Sequence, residues 1–105
     1  MVWVVQERPG LDILSGRKWG EMRVLLPWKQ QVLLDASGTV DMVRRKLRGF
    51  SSRDYILCAG DPAAIGIACA IAAKENNGRI SVLKWDRYDR AYYPVEITMW
   101  GNHND

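Results

Sequence analysis

The sequence predicts an α/β fold: a single small domain whose mixed sheet of about five strands carries two helices, in the order β-β-α-β-α-β-β. Three observations lead there. The run Tyr55-Ile56-Leu57-Cys58-Ala59 does not alternate polar with apolar residues, which is how a strand covered on both faces reads. It passes through Gly60-Asp61-Pro62 into Ala63–Ala73, a helix apolar on nearly every face. A second helix upstream and extended segments on either side complete two β–α–β units, which imply right-handed crossovers and a parallel centre.

Val2–Gln6 is a β-branched run and reads as the first strand, broken by Arg8-Pro9-Gly10. Leu11–Gly20 has no clean period and reads as an ordered loop. Glu21–Leu26 is a second strand stopped by Pro27, and Gln31–Leu34 suits a short extended piece. The first helix follows Ser37 or Thr39, either of which can cap it by accepting a backbone N–H bond. Val40, Val43, Leu47 and Phe50 share one face at helical spacing, while Arg44, Arg45 and Arg48 cover the flank and back. Gly49 ends the regular helix.

In the second helix Asp61 is the expected N-cap. Pro62 takes the first helical position, where its missing N–H costs nothing. Gly66, with Ala63, Ala70 and Ala73, offers a smooth surface for close approach to the sheet, and Gly78 is the expected stop. Arg79–Trp85 and Ala91–Met99 are two further strands joined by the charged connection Arg87–Arg90. Pro94 argues for an edge position. The final hairpin and the first strand are expected as antiparallel edges. Residues 1–100 form the domain, and 101–105 a flexible polar tail.

A chain of 105 residues, 48% hydrophobic, has enough for one core and is not disordered in composition. No apolar run reaches the ~20 residues of a membrane span. Met1-Val2-Trp3 enters structure directly, so no secretory signal is expected and cytoplasmic residence is the default. Cys58 and Cys69 read as small buried hydrophobes; neither has a Cys or His partner at ligand spacing, so no metal or cofactor is expected. The net charge of +3 permits an acidic protein or nucleic acid as partner without implying either.

Four places carry candidate chemistry. Gly60–Gly66 is a glycine-bearing turn opening a helix, where free N–H groups can hold phosphate. It lacks the Lys-Ser/Thr pair of a P-loop and the second glycine of the dinucleotide fingerprint. Asp61 would also occupy those N–H groups and repel an anion, so Asp61, Pro62 and Gly66 are read as structural. Arg44, Arg45 and Arg48, with Lys46, form the densest basic cluster, which is either a solvated face or a phosphate contact. Lys84–Tyr93 interleaves aromatic and charged residues across a hairpin. Its Trp85, Arg87, Tyr88, Arg90 and Tyr92 either anchor a partner or shape the hairpin itself, with Trp85 against Tyr92 or a neighbour. His103 lies in the tail with no nucleophile-and-base arrangement around it, so no catalytic residue is expected.

The stretch Arg53-Asp54-Tyr55-Ile56-Leu57, the turn Gly60-Asp61-Pro62-Ala63-Ala64-Ile65-Gly66, and the segments Leu83-Lys84-Trp85-Asp86 and Tyr93-Pro94-Val95-Glu96 together resemble short proteins of tailed bacteriophages. The resemblance extends over residues 20 to 97. It implies a small accessory protein made inside an infected bacterium and carries over no catalytic or binding residue. The functional expectation is a non-enzymatic protein that binds another macromolecule, a protein first. The contact surface is expected on Arg44, Arg45, Arg48, Trp85, Arg87, Tyr88, Arg90 and Tyr92. Nucleic-acid binding by helix 41–48 and hairpin 84–93 is one alternative, and nucleotide or phosphate at 60–66 is another. Self-association through an edge strand is a further option, because an uncovered edge invites pairing.

Overall fold

The computed structural model describes residues 1–101, so the expected tail residues 102–105, His103 among them, lie outside the described residues. Five strands form one sheet: β1 (Val2–Gln6), β2 (Met22–Leu26), β3 (Tyr55–Leu57), β4 (Arg79–Asp86) and β5 (Ala91–Thr98). Their order across the sheet is β2-β1-β3-β4-β5. The first four are parallel, and β5 runs antiparallel to β4. Helices α1 (Ala36–Lys46) and α2 (Pro62–Glu75) connect β2 to β3 and β3 to β4. The fold is the mixed five-stranded α/β sheet expected.

One strand is misplaced by the sequence reading. β1 is not an antiparallel edge but a parallel inner strand, paired with β2 on one side and β3 on the other. The reason is connection length. Residues 7–21 separate β1 from β2, and a dozen or more residues is what a parallel crossover takes, whereas a hairpin takes two to five. This crossover contains a 3₁₀ helix, Leu14–Trp19, and lies on the face opposite the two α-helices. It also moves in the opposite direction along the sheet, so opposite faces keep all the crossovers one hand, as twisted sheets require.

The sheet is therefore covered on both sides. On the helix side, Val5, Ile56, Ile80 and Val82 pack against Val43 of α1, its C-cap Leu47, and Ala64, Ala68 and Ala72 of α2. On the strap side, Val2, Val4, Leu57, Leu83 and Tyr92 pack with Ile13 and Trp19 from the crossover. Gly16 lets the strap lie close, because a Cβ there would come within 2.6 Å of Leu57 Cδ1. Each fully buried Leu or Ile contributes about 1.5–3 kcal/mol of transfer free energy, so these two faces supply the main driving force.

The caps fall partly where expected. Asp61 caps α2, its Oδ1 accepting from Ala63 N–H at 2.8 Å, with Pro62 at the first position. The cap of α1 is Asp35 rather than Ser37 or Thr39, with Oδ1 accepting from Gly38 N–H at 2.9 Å. Thr39 is buried instead, donating to Asp35 O and accepting from Gln30 Nε2. Gly66 also differs from expectation: it faces outward, and a Cβ added there meets nothing within 4 Å. The sheet-facing residues of α2 are Ala64, Ala68 and Ala72, one turn apart.

Candidate functional site

Because β1 to β4 are parallel, the segments that follow them meet at one end of the sheet. These are residues 7–13 after β1, 27–35 after β2, 58–61 after β3 and the turn 87–90 after β4. In doubly wound sheets ligands occupy the crevice at this end, where neighbouring strands send their connections opposite ways. Here that point lies between β1 and β3.

The crevice is filled by the chain itself. Gln6 is fully buried, and its side-chain Nε2 donates to Pro27 O at 3.1 Å and Gln30 O at 2.8 Å. Its Oε1 accepts from Asp61 N–H at 3.3 Å, and its backbone N–H reaches Ala59 O. One amide thus ties the loops after β2 and β3 to β1. Gly60 takes φ +109°, and a Cβ there would sit 2.5 Å from Gln6 Cβ. At the start of α2 the Asp61 and Ala63 N–H groups are already bonded, and the Asp61 carboxylate lies over them. Arg8 is 4.0 Å from that carboxylate. The geometry matches a capped, closed turn. Gln6 escaped the sequence reading; an amide closing a β-branched strand is the signal that was there to be used.

Around this closed centre the rim is open and apolar. Arg8, Pro9 and Trp28 stand between two grooves. One of about 820 Å³ continues along Lys29, Val32 and Leu33. The other, about 610 Å³, continues along Leu11, Ile13 and Leu14. Trp28 is 57% exposed, with the Lys29 ammonium 5.3 Å from its ring centre. Residues 31–35 form a turn, not the extended piece expected, since Leu34 and Asp35 N–H both bond Gln31 O. That turn leaves Leu33 92% and Leu34 77% exposed.

The expected contact residues divide. Tyr92 is only 3% exposed and cannot serve as a contact, a correction to its sequence assignment. Its hydroxyl donates to Asp12 O at 2.6 Å and clamps the strap to the sheet. Burial, with the Asp12 carboxylate adding to it, pushes its phenol up to about 12. Trp85 is half-buried and pairs across the strands with Tyr92, ring centres 4.9 Å apart and edge to face. Arg87, Tyr88 and Arg90 are exposed at the turn, with the Arg87 guanidinium 5.6 Å from the Tyr88 ring centre. Asp86 and Asp89 are engaged within the hairpin: Asp86 Oδ1 accepts from Tyr88 N–H, and Asp89 Oδ2 from Tyr93 hydroxyl.

Arg44, Arg45 and Arg48 are exposed, as expected. They lie in the last turn of α1 and just past it. Because α1 runs back against the strands, this places them at the opposite end of the sheet from the hairpin turn. They are also on the helix side, whereas Trp85 and Tyr92 face the strap. The structure does not bring the basic helix and the aromatic pair together. Lys46 leaves the cluster altogether, its Nζ donating to Val24 O and Leu25 O on edge strand β2.

Cys58 and Cys69 are unbridged and half-buried, and both pack against the helix-side core. A hydrogen bond to Cys69, aided by burial, pushes the Cys58 thiol up and keeps it protonated. Among the described residues no group of three His, Cys, Asp or Glu side chains could hold a metal ion. Among them, too, no helix is long and apolar enough to cross a membrane.

Neither a curated protein nor a solved structure matches the chain. A family profile described as Phage Pam3 gp32-like protein matches residues 1–99, the whole sheet and both of its covering layers. The chain therefore belongs to the Phage Pam3 gp32-like protein family.

Proposed function

We propose that this phage protein is a non-enzymatic accessory protein that binds a partner protein through the loop end of its sheet, in the cytoplasm of the infected cell. The carrying observation is where apolar surface is left uncovered. Five of the ten large apolar side chains exposed among the described residues belong to two neighbouring loops: Leu11, Leu14, Trp28, Leu33 and Leu34. Single exposed apolar residues need no explanation, but Leu11, Leu14 and Leu33 line the two grooves that meet at Trp28, and an apolar set around a tryptophan marks an interaction surface. The filled crevice at Gln6 and Gly60 supports binding at the rim over a small molecule at the switch point. The separation of the arginines from Trp85 and Tyr92 favours protein over nucleic acid.

Pairing of two copies through β5 has less support. Met99 N–H donates to Gly78 O, and this pair extends the β4–β5 register by one step. Antiparallel pairs alternate between bonded and non-bonded, so Pro94, opposite Leu83, falls on a non-bonded pair. Its nitrogen, which carries no hydrogen, points to the open edge and interrupts any added ladder there.

The test is affinity capture from infected cells with the parent chain and with the triple variant Trp28→Ser, Leu33→Ser, Leu34→Ser. A protein held by the parent and lost by the variant, at equal melting temperature, is the expected result. Identical captured sets, or material released by nuclease, would sink the reading. Retention on heparin across a salt series checks the nucleic-acid alternative separately.

A further inference from the structure

We infer that the helix-side face of the β4–β5 hairpin is a second docking surface, and that it takes an acidic amphipathic helix of a partner protein. The inference rests on the protein-binding reading above and adds a different surface with its own chemistry. Three observations carry it.

The first is an open slot in the helix layer. α1 and α2 cover the helix side of the sheet as far as β4, and Val82 and Ile80 are buried there. One strand further out, Tyr93 and Val95 point to the same side and stay 44% and 39% exposed. Together with Lys84 they line a groove of about 420 Å³ beside the turn. A further helix laid next to α2 would complete the layer. An added strand would not, because Pro94 breaks the donor row of the edge.

The second is charge. Lys84 and Arg87 line this groove, Arg90 is exposed in the same turn, and no carboxylate lies within 4.0 Å of any of the three among the described residues. The two acids of the turn, Asp86 and Asp89, offset them only in part and leave one positive charge in excess over residues 84–90. Asp86 Oδ1 accepts two backbone N–H groups, from Tyr88 and Asp89, and Asp89 Oδ2 holds the Tyr93 hydroxyl. The groove therefore offers an apolar floor beneath a rim of net positive charge, which complements a helix with an apolar stripe and acidic flanks.

The third observation separates such a helix from a nucleic-acid strand. A strand needs a basic track along its phosphates, and the other exposed arginine cluster, Arg44, Arg45 and Arg48, sits at the far end of the sheet.

Two synthetic amphipathic helical peptides test the inference. They share one leucine face and differ only in carrying glutamate or lysine on the polar face. The glutamate peptide is expected to bind the full chain at least tenfold more tightly by fluorescence anisotropy, and to weaken with salt. Lys84→Glu with Arg87→Glu should invert that preference. Tyr93→Ser with Val95→Ser should abolish binding while the melting temperature holds. The Trp28/Leu33/Leu34 variant should leave it unchanged, which separates this surface from the loop end. Equal binding of both peptides, no binding of either at millimolar concentration, or equal competition by single-stranded DNA overturns the inference. So does binding that survives the hairpin substitutions. None of these results would alter what the loop-end variant captures from infected cells.

Discussion

Two regions share the same end of the sheet and differ in what their side chains are used for. At the centre, Gln6 bonds Asp61 and packs against Gly60, and the crevice is closed. At the rim, Trp28, Leu33 and Leu34 touch little and remain in solvent. The contrast shows that position in a fold does not by itself designate a site. The place where α/β sheets commonly bind ligands is here a structural joint, and the uncovered surface has moved outward onto the loops. Substitutions at the centre should lower stability, and substitutions at the rim should lower binding alone.

The largest effect is expected at Gly60. Its φ of +109° is a region that side chains rarely adopt, and a new Cβ would meet the Cβ and backbone oxygen of Gln6. Strain and overpacking together put Gly60→Ala at about 3–5 kcal/mol in urea denaturation. A loss below about 1 kcal/mol would mean that the joint is loose and the crevice open to a ligand.

Gln6→Leu comes next. It keeps the bulk but leaves Gln30 O and Asp61 N–H without their partner, while Pro27 O keeps the Gln30 N–H. Stranded buried groups cost about 1–3 kcal/mol each before relaxation, so a net loss of about 3 kcal/mol is expected. If Gln6→Leu were neutral, the loops after β2 and β3 would be held by their own turns instead.

These two residues also show what a single sequence conveys. The α2 segment was legible because its signals are local: an aspartate cap, a proline at the first position and an apolar run of helical length. The place of β1 was not, since strand order depends on which faces the connections cross, and the run Val2–Gln6 suits an edge or a centre equally well. Only the length of residues 7–21 pointed to a parallel crossover. At Gly66 the apolarity of the helix on all sides hid which face meets the sheet. The hairpin aromatics were seen, but Tyr92 and Tyr93 alternate faces: one is buried under the strap and the other is exposed. Trp28 follows Pro27 at the end of β2, and nothing local in the sequence reports that Leu33 lines the same groove.

Tyr92 joins the strap to the sheet, and its effect depends on pH. Its folded pKa stands at about 12, above the ordinary 10.0, so the folded state holds the phenolic proton more tightly than the unfolded state does. The stabilisation is fully present below pH 10 and is lost as pH rises from 10 to 12. Tyr92→Phe should cost about 1 kcal/mol at neutral pH, from the lost bond to Asp12 O. It should also flatten the alkaline decline. Tyr93 is raised in the same direction by its bond to Asp89. A decline that persists unchanged in Tyr92→Phe would assign it elsewhere.

Gly66→Ala runs the other way. The residue lies inside α2 with open space where a Cβ would go. Replacing a mid-helix glycine by alanine should stabilise by about 0.5–1 kcal/mol. A destabilisation would mean that something in the chain approaches this face closely.

The smallest expected change in stability is at the rim, and there it is the informative result. Leu33 and Leu34 are almost wholly solvated and Trp28 is more than half exposed, so their replacement by serine removes little packing from the folded state. Surface changes of this kind stay within about 0.5 kcal/mol. If the triple variant melts with the parent and yet captures nothing, the rim and the joint are separable, and the exposed apolar surface belongs to an interface. If it instead unfolds as readily as Gly60→Ala, the rim residues are part of the core's support, and the division between joint and rim fails.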